Sequence, residues 1–477
     1  KLGDGNMLPT LQFYDRISVL KALKLCQKEN NISKTRLIHE YVAERNIIPK
    51  DVYIATTLIT TYARCGILKE AQEVFEQLRA HDVVCWSALI SGYAQNGLGN
   101  EALKCFRQMR ASGICPNAVT YICVLKACGI AGSLDVGKDI DAEVRKQGLL
   151  ENDIILGNAL IDMYSKCGAL EKAREVFENL CVRDVVSWTS LIAGYARNGL
   201  GNEALKCFRQ MKMAKVCPNA VTYICVLKAC GLVGSLEIGE DIDAEVRKQG
   251  LLRNNVVLGT TLVDMYSKCG AMEKAQEVFE QIPGHNVVSW SALIGGYAQN
   301  GLGEEALRCF KQMTDLGIHP DVVTFVCALK ACSVVGSLEI GEDIYAEVRK
   351  QGLLEKDLIL SNGLVDMYSK CGMLKKAQEI FEELPLRDIV SWNAMITGYT
   401  KHGFAEDAVN LYKSLNYICM QPTDITFTSA LHGCACLESL ECGRQIHRDI
   451  LVMSTDSNIY VNNILIDMYT KCGSLED

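Results

Sequence analysis

Asp162-Met-Tyr-Ser-Lys-Cys-Gly168 returns letter for letter at residues 264–270 and again at 366–372, each copy 102 residues after the last. The same step carries Glu143-Val-Arg-Lys-Gln-Gly-Leu-Leu150 onto 245–252 and 347–354, and it separates the only tryptophans, Trp86, Trp188, Trp290 and Trp392. A fixed long period means that one supersecondary element is made repeatedly and stacked on its own copies. The chain is a repeat array.

The step is itself composite. One period divides into 35 residues from Val185 to Asn219, 36 from Ala220 to Asn255 and 31 from Val256 to Asn286. Each segment opens on an apolar stretch, meets a glycine near its middle (Gly199, Gly234, Gly270) and resumes with a second apolar periodicity. In the first segment Leu191, Ile192 and Tyr195 share one helical stripe, and Leu205, Phe208 and Met211 share another. Gly199 suits the left-handed residue that closes the first helix, and the second must end before Pro218. Each segment is expected to be an antiparallel helix pair, too small to bury its own apolar face and obliged to stack on its neighbours.

Counting outward places a 36-residue unit at 16–51, where Leu23-Lys24-Leu25-Cys26 matches Leu125-Lys126-Ala127-Cys128, and a 31-residue unit at 52–82. Toward the other end come 35-residue units at 389–423 and 424–458 and a partial unit from 459, giving 13 complete units and a truncated fourteenth. The expected organisation is a flanking segment at 1–15 followed by one array over 16–477. Because it opens on Lys1 and stops within a unit, the sequence is expected to be a fragment.

Composition fits an all-α chain: 49% hydrophobic, 22% charged, only 8 prolines, and no apolar run long enough to span a membrane. No Arg-rich leader is visible. A formal charge of −8 argues against gripping nucleic acid by bulk electrostatics, though not against a locally basic face. Most of the 23 cysteines recur in register, Cys65, Cys167, Cys269, Cys371 and Cys472 in one column and Cys26, Cys128, Cys230, Cys332 and Cys434 in another. Such recurrence points to a small packing residue, and no Cys-x-x-Cys spacing suggests zinc. The expected compartment is reducing, and no metal or other cofactor is expected.

The chemistry lies in a column at the fifth residue of the 31- and 35-residue units. It reads Thr56, Ser87, Asn158, Thr189, Thr260, Ser291, Asn362, Asn393 and Asn463, all short hydrogen-bonding side chains. These are mediocre helix formers placed inside a helix. The 36-residue units carry Leu20, Ile122, Ile224 and Val326 there instead, and the 424–458 unit carries Thr428. A second column closes the same units: Asp82, Asn117, Asp184, Asn219, Asn286, Asp321, Asp388 and Thr423. Helix capping alone would explain it. Paired with the first, it offers the donors and acceptors that tell base edges apart.

The 35/36/31 alternation, Val-Val-Ser-Trp followed by a polar residue, Val-Leu-Lys-Ala-Cys and Asp-Met-Tyr-Ser-Lys-Cys-Gly resemble the P, L and S motifs of plant pentatricopeptide repeat proteins of the PLS subclass. The resemblance spans about 16–477 and implies a right-handed α-solenoid superhelix of stacked antiparallel helix pairs. It implies binding of single-stranded RNA, one base per repeat, with fifth and last residues as the code. It further implies that the second residues Val84, Ile155, Val186, Val257, Val288, Ile359 and Val390 flank the base, although helix-core packing is an equal alternative for them. Arg64, Lys166, Lys268, Lys370 and Lys471, at the thirteenth position of every S unit, would meet phosphates, or else form an ordinary solvated face. By the family's code, residues 52–423 read G-A-n-U-A-n-A-R-n-U-Y, the unread bases facing L units.

Family members work mostly in mitochondria or plastids, commonly as site-recognition factors for C-to-U editing. The expected partners are therefore an organellar transcript and editing cofactors or a deaminase acting in trans. A deaminase needs His-x-Glu and Cys-x-x-Cys, and neither spacing occurs here, so no enzyme is expected. The alternatives are a splicing, processing or stability factor, and a tetratricopeptide-like peptide scaffold. The scaffold would show one length of about 34 residues and no polar fifth column.

Overall fold

The computed structural model describes residues 16–151, 153–418, 420–453, 458–474 and 476. The flanking segment expected at 1–15 lies outside the described residues. Among the described residues are 27 α-helices, from α1 (Arg16–Glu29) to α27 (Ile459–Lys471), two short 3₁₀ turns and no strand.

The local logic is seen in α11 (Val185–Arg197) and α12 (Gly201–Met213). Asp184 stands in extended backbone and its Oδ1 accepts from the Ser187 N–H, while the Ser187 hydroxyl completes a capping box. The chain leaves α11 through Gly199 at φ +77°, and α12 ends before Pro218. At the C-terminus of α11 the Asn198 amide donates to Gly194 O and also to Ser165 O, a carbonyl in the last turn of α9 (Ile154–Lys166). One side chain thus ties together the C-terminal carbonyls of two successive first helices.

Contacts group the chain into two compact halves, up to Val233 and from Gly234. In the first half α3 (Val52–Arg64), α5 (Val83–Gln95), α7 (Ala118–Ala131), α9, α11 and α13 (Ala220–Val233) each pack on the next. In the second, α15 (Val256–Lys268), α17 (Val287–Gln299), α19 (Val322–Val335), α21 (Leu358–Lys370), α23 (Ile389–Lys401), α25 (Asp424–Cys436) and α27 do the same. The intervening helices, such as α6 (Gly99–Ala111) and α12, pack between the first helix of their own repeat and that of the next. Each half is thus two-layered, with the first helices forming a continuous row.

The layers are fastened differently at different junctions. Where a 31-residue repeat meets a 35-residue one, a buried tryptophan packs edge-on against a phenylalanine: Trp188 on Phe177, Trp290 on Phe279, Trp86 on Phe75 and Trp392 on Phe381. Such pairs add about 0.5–1.5 kcal/mol beyond the area they bury. At the same junctions Gly194 and Gly296 let the helices close up, since a Cβ on either would collide with Ser165 Oγ or Ser267 Oγ. Where a 36-residue repeat meets a 31-residue one, buried Asp141 accepts from Tyr164 Oη (2.8 Å) and Arg145 Nε (2.7 Å), and Asp243, Tyr266 and Arg247 repeat the arrangement.

The cysteines of the second column are buried, and burial pushes the thiols of Cys128, Cys332 and Cys434 up to about 12. They stay protonated, as packing residues do. Among the described residues every cysteine is free, no cluster of metal-ligating side chains occurs, and no helix is long and apolar enough to cross a membrane.

Candidate nucleic-acid interface

Each first helix from α3 to α25 buries most of its circumference and leaves one stripe open, at its second, sixth, ninth and thirteenth residues. In α11 these are Val186, Ser190, Ala193 and Arg197, in α9 Ile155, Ala159, Asp162 and Lys166, and in α7 Val119, Cys123, Lys126 and Ile130. The spacing is that of one helical face. The second residues named from the sequence (Val84, Ile155, Val186, Val257, Val288, Ile359, Val390) are 49–69% exposed, so they do not pack into the helix core. The sequence reading missed that the column continues through the other repeats: Val119, Val221, Val323 and Ile425 are equally bare, and Tyr53 and Tyr460 occupy the place in two 31-residue repeats. With Ile17 (60% exposed) the column holds fourteen isolated apolar side chains at repeat spacing, an exposed feature that folding alone does not require.

The fifth residues lie at the edge of this stripe. Ser87, Asn158, Thr189, Ser291, Asn362 and Asn393 are buried, Thr56 and Thr260 are half-buried, and Asn463 is exposed on α27. The last residues, which cap the following helix, stand beside them at six repeats. Asn158 Nδ2 donates to Asp184 Oδ1 (3.3 Å), Asn362 Nδ2 to Asp388 Oδ1 (2.9 Å) and Asn393 Nδ2 to Thr423 Oγ1 (3.0 Å). With a hydroxyl at the fifth position the link runs through a buried threonine of the next helix. Ser87 meets Thr120 Oγ1 (2.7 Å), which donates to Asn117 Oδ1 (2.9 Å). Thr189, Thr222 and Asn219 repeat this relay, as do Ser291, Thr324 and Asp321. Thr56 and Thr260 make no hydrogen bond to Asp82 and Asn286. The carbonyl oxygens of Asn158 and Asn362 and the Thr260 hydroxyl have no protein partner at all.

Capping also decides which side-chain atom each last residue keeps clear of the helix end. The helix N-terminus offers N–H groups, so it takes an acceptor oxygen. Asp82, Asp184, Asp321 and Asp388 all make their side-chain hydrogen bonds through Oδ1, leaving Oδ2 as an acceptor. Asn117, Asn219 and Asn286 likewise spend Oδ1 on the cap and leave the amide N–H₂ as a donor. Partial burial works against the Asp82 and Asp184 carboxylates, but the hydrogen bonds they accept outweigh it and hold both pKa values below the usual range.

The lysines expected to meet phosphates are already engaged. Lys166 pairs with Asp162 (2.6 Å), Lys268 with Asp264 (2.7 Å), Lys370 with Asp366 (2.8 Å) and Lys471 with Asp467 (2.7 Å), each four residues back on the same helix. The stripe of the 31-residue repeats therefore carries neutralised pairs, with Arg64 its only basic member outside an ion pair among the described residues.

Paired helices stacked in a row, with equivalent side chains brought to one open face, define an α-helical repeat protein. Models of the PPR repeat match residues 81–129, 183–231, 285–333 and 387–436, and in a second form 53–83, 158–185, 260–287 and 360–389. A chloroplastic pentatricopeptide repeat-containing protein of Arabidopsis thaliana is 35% identical over 87% of this chain and 67% of its own length. A mitochondrial one is 35% identical over 90% of this chain but 42% of its own length, so the chain spans less than half of that relative. The chain belongs to the pentatricopeptide repeat family. In fold it is similar to the maize pentatricopeptide repeat protein PPR10 in complex with an 18-nt psaJ RNA element, an α-solenoid, with a TM-score of 0.54 and 19% identity over 98% of this chain and 84% of that one.

Proposed function

We propose that this chain reads single-stranded RNA, one base per repeat, as the site-recognition part of an organellar C-to-U editing factor of the PLS subclass. The observation that carries the reading is the pairing of polar fifth residues with capping last residues whose outward atom the cap itself selects. An outward carboxylate oxygen suits the ring N–H on the Watson–Crick edge of G or U. An outward amide N–H₂ suits the ring nitrogen acceptor of A or C. The fifth residue divides each class by size: the longer Asn leaves room for a pyrimidine, the short Ser or Thr for a purine. Bare apolar side chains at the second positions supply walls for the base to stack on, a contact that every base tolerates.

An organellar site is supported by the names of several of the relatives, which are mitochondrial or chloroplastic. That maize PPR10 was crystallised with RNA supports the ligand class. Editing requires a deaminase from outside these residues, so the purified chain with zinc and cytidine-containing RNA is expected to yield no uridine. The test of the reading is binding to an RNA carrying G-A-n-U-A-n-A-R-n-U-Y, 5′ to 3′, against the same RNA with bases exchanged at the eight read positions. Each exchange should weaken binding by about 1 kcal/mol, as at other base-reading surfaces. Equal affinity for both RNAs would overturn the code.

A further inference from the structure

We infer that the RNA backbone is gripped by the lysines at the ninth position of the 36-residue repeats, Lys24, Lys126, Lys228 and Lys330, a reading that rests on the RNA-binding role proposed above. Each stands on the open stripe of its first helix and is exposed. None takes part in an ion pair, whereas the lysines of the 31-residue repeats each hold an aspartate four residues earlier. A Lys–Asp pair contributes no net charge to the stripe and must be broken before its ammonium can meet a phosphate. An unpaired ammonium has only water to give up.

The surroundings favour the same assignment. Around Lys126 the stripe is Val119, Cys123 and Ile130, around Lys228 it is Val221, Cys225 and Leu232, and around Lys330 it is Val323, Cys327 and Val334. A lysine stem lies well along such an apolar surface while its ammonium reaches out, and the low dielectric beside it strengthens attraction to a phosphate. The net charge of −8 gives RNA no bulk attraction, so the cations that hold it must be local. These repeats also lack the polar fifth residue, having Leu20, Ile122, Ile224 and Val326 there. The labour is divided: the 31- and 35-residue repeats read bases, and the 36-residue repeats hold the strand. In the repeat at 424–458 His432 takes the lysine's place.

The test compares three forms of the full chain, with binding of the target RNA measured from 50 to 300 mM KCl. One variant carries Lys126→Gln, Lys228→Gln and Lys330→Gln. The other removes the pairs together, with Asp162→Asn, Asp264→Asn and Asp366→Asn beside Lys166→Gln, Lys268→Gln and Lys370→Gln. Each lost phosphate contact lowers the slope of log K against log salt by about 0.7 for single strands. The first variant should flatten the slope by about 2 and weaken target and exchanged RNAs alike, and the second should leave the slope as it was. An unchanged slope in the first variant, with wild-type binding intact, would overturn the inference and leave these lysines as solubilising residues. Wild-type binding without base preference, but with the lysine-dependent slope, would sink the code and keep the grip.

Discussion

Two kinds of junction alternate along this chain. Before a 35- or 36-residue repeat, the capping residue has ψ near 175–180° (Asp184 −179°, Asn117 178°, Asp388 175°) and at six of these junctions lies against the fifth residue of its own repeat, directly or through one threonine. Before a 31-residue repeat the cap has ψ near 90–100° (Asp153 90°, Asp357 102°), and the fifth residue is Ile122 or Val326. There the last residue turns elsewhere: Asp51 pairs with Arg16, and Asn458 donates to Asp424, each the first residue of its repeat. Both geometries cap a helix equally well. Only one sets two polar side chains side by side, so capping and reading are separable properties of the same column.

The largest effects should come from the packing that distinguishes the junctions. Trp188→Ala, which opens the contact with Phe177, should cost about 3–5 kcal/mol. Asp141→Ala, which strands the Tyr164 hydroxyl and Arg145 in a 36-to-31 junction, should cost about 1–3 kcal/mol. Denaturant unfolding followed by hydrogen exchange should show both losses confined to neighbouring repeats. Protection lost uniformly along the chain would mean that the array does not behave as a sum of nearest neighbours.

A smaller and more discriminating pair is Asp184→Ala against Asp153→Ala. Each removes a cap, and each should cost about 1 kcal/mol of stability. Asp184→Ala should also erase base preference at the fourth RNA position, while Asp153→Ala should leave preference untouched everywhere. If both variants change base preference, the turned cap reads as well and the comparison fails.

Acid provides the smallest test. The folded pKa values of Asp82 and Asp184 lie below the ordinary value, so their contribution is complete above about pH 3.9 and is lost as pH falls through the depressed folded values. Base preference should therefore hold constant from pH 8 to pH 5, with these caps failing only below about pH 4. A change in base preference between pH 5 and 6 would contradict an ionised reading carboxylate.

Much of this was legible in the residues. Glycine, proline and apolar spacing mark the helix pairs because these constraints act locally, and the fifth-residue column stands out because a polar residue inside a helix has no local justification. The pairing of Lys166 with Asp162 is equally written in a four-residue spacing, since residues i and i+4 share one helix face. What could not be read was burial. Val119 and Leu125 are both apolar residues of one helix, and only the stacking of the next repeat decides that the first stays bare and the second goes inside. The threonine relay from Ser87 through Thr120 to Asn117 was hidden for the same reason, since it crosses from one repeat into the next.

The claim that the fifth and last residues act as a reading pair is tested most directly by Asn158→Thr. The substitution changes an Asn/Asp pair into Thr/Asp beside Asp184 and leaves the cap on Ser187 in place. Binding measured against four RNAs that differ only at the fourth base should shift its preference from U to G, with every other position unchanged. An even loss of affinity for all four RNAs would show that Asn158 is a structural residue and that this chain does not read bases through that column.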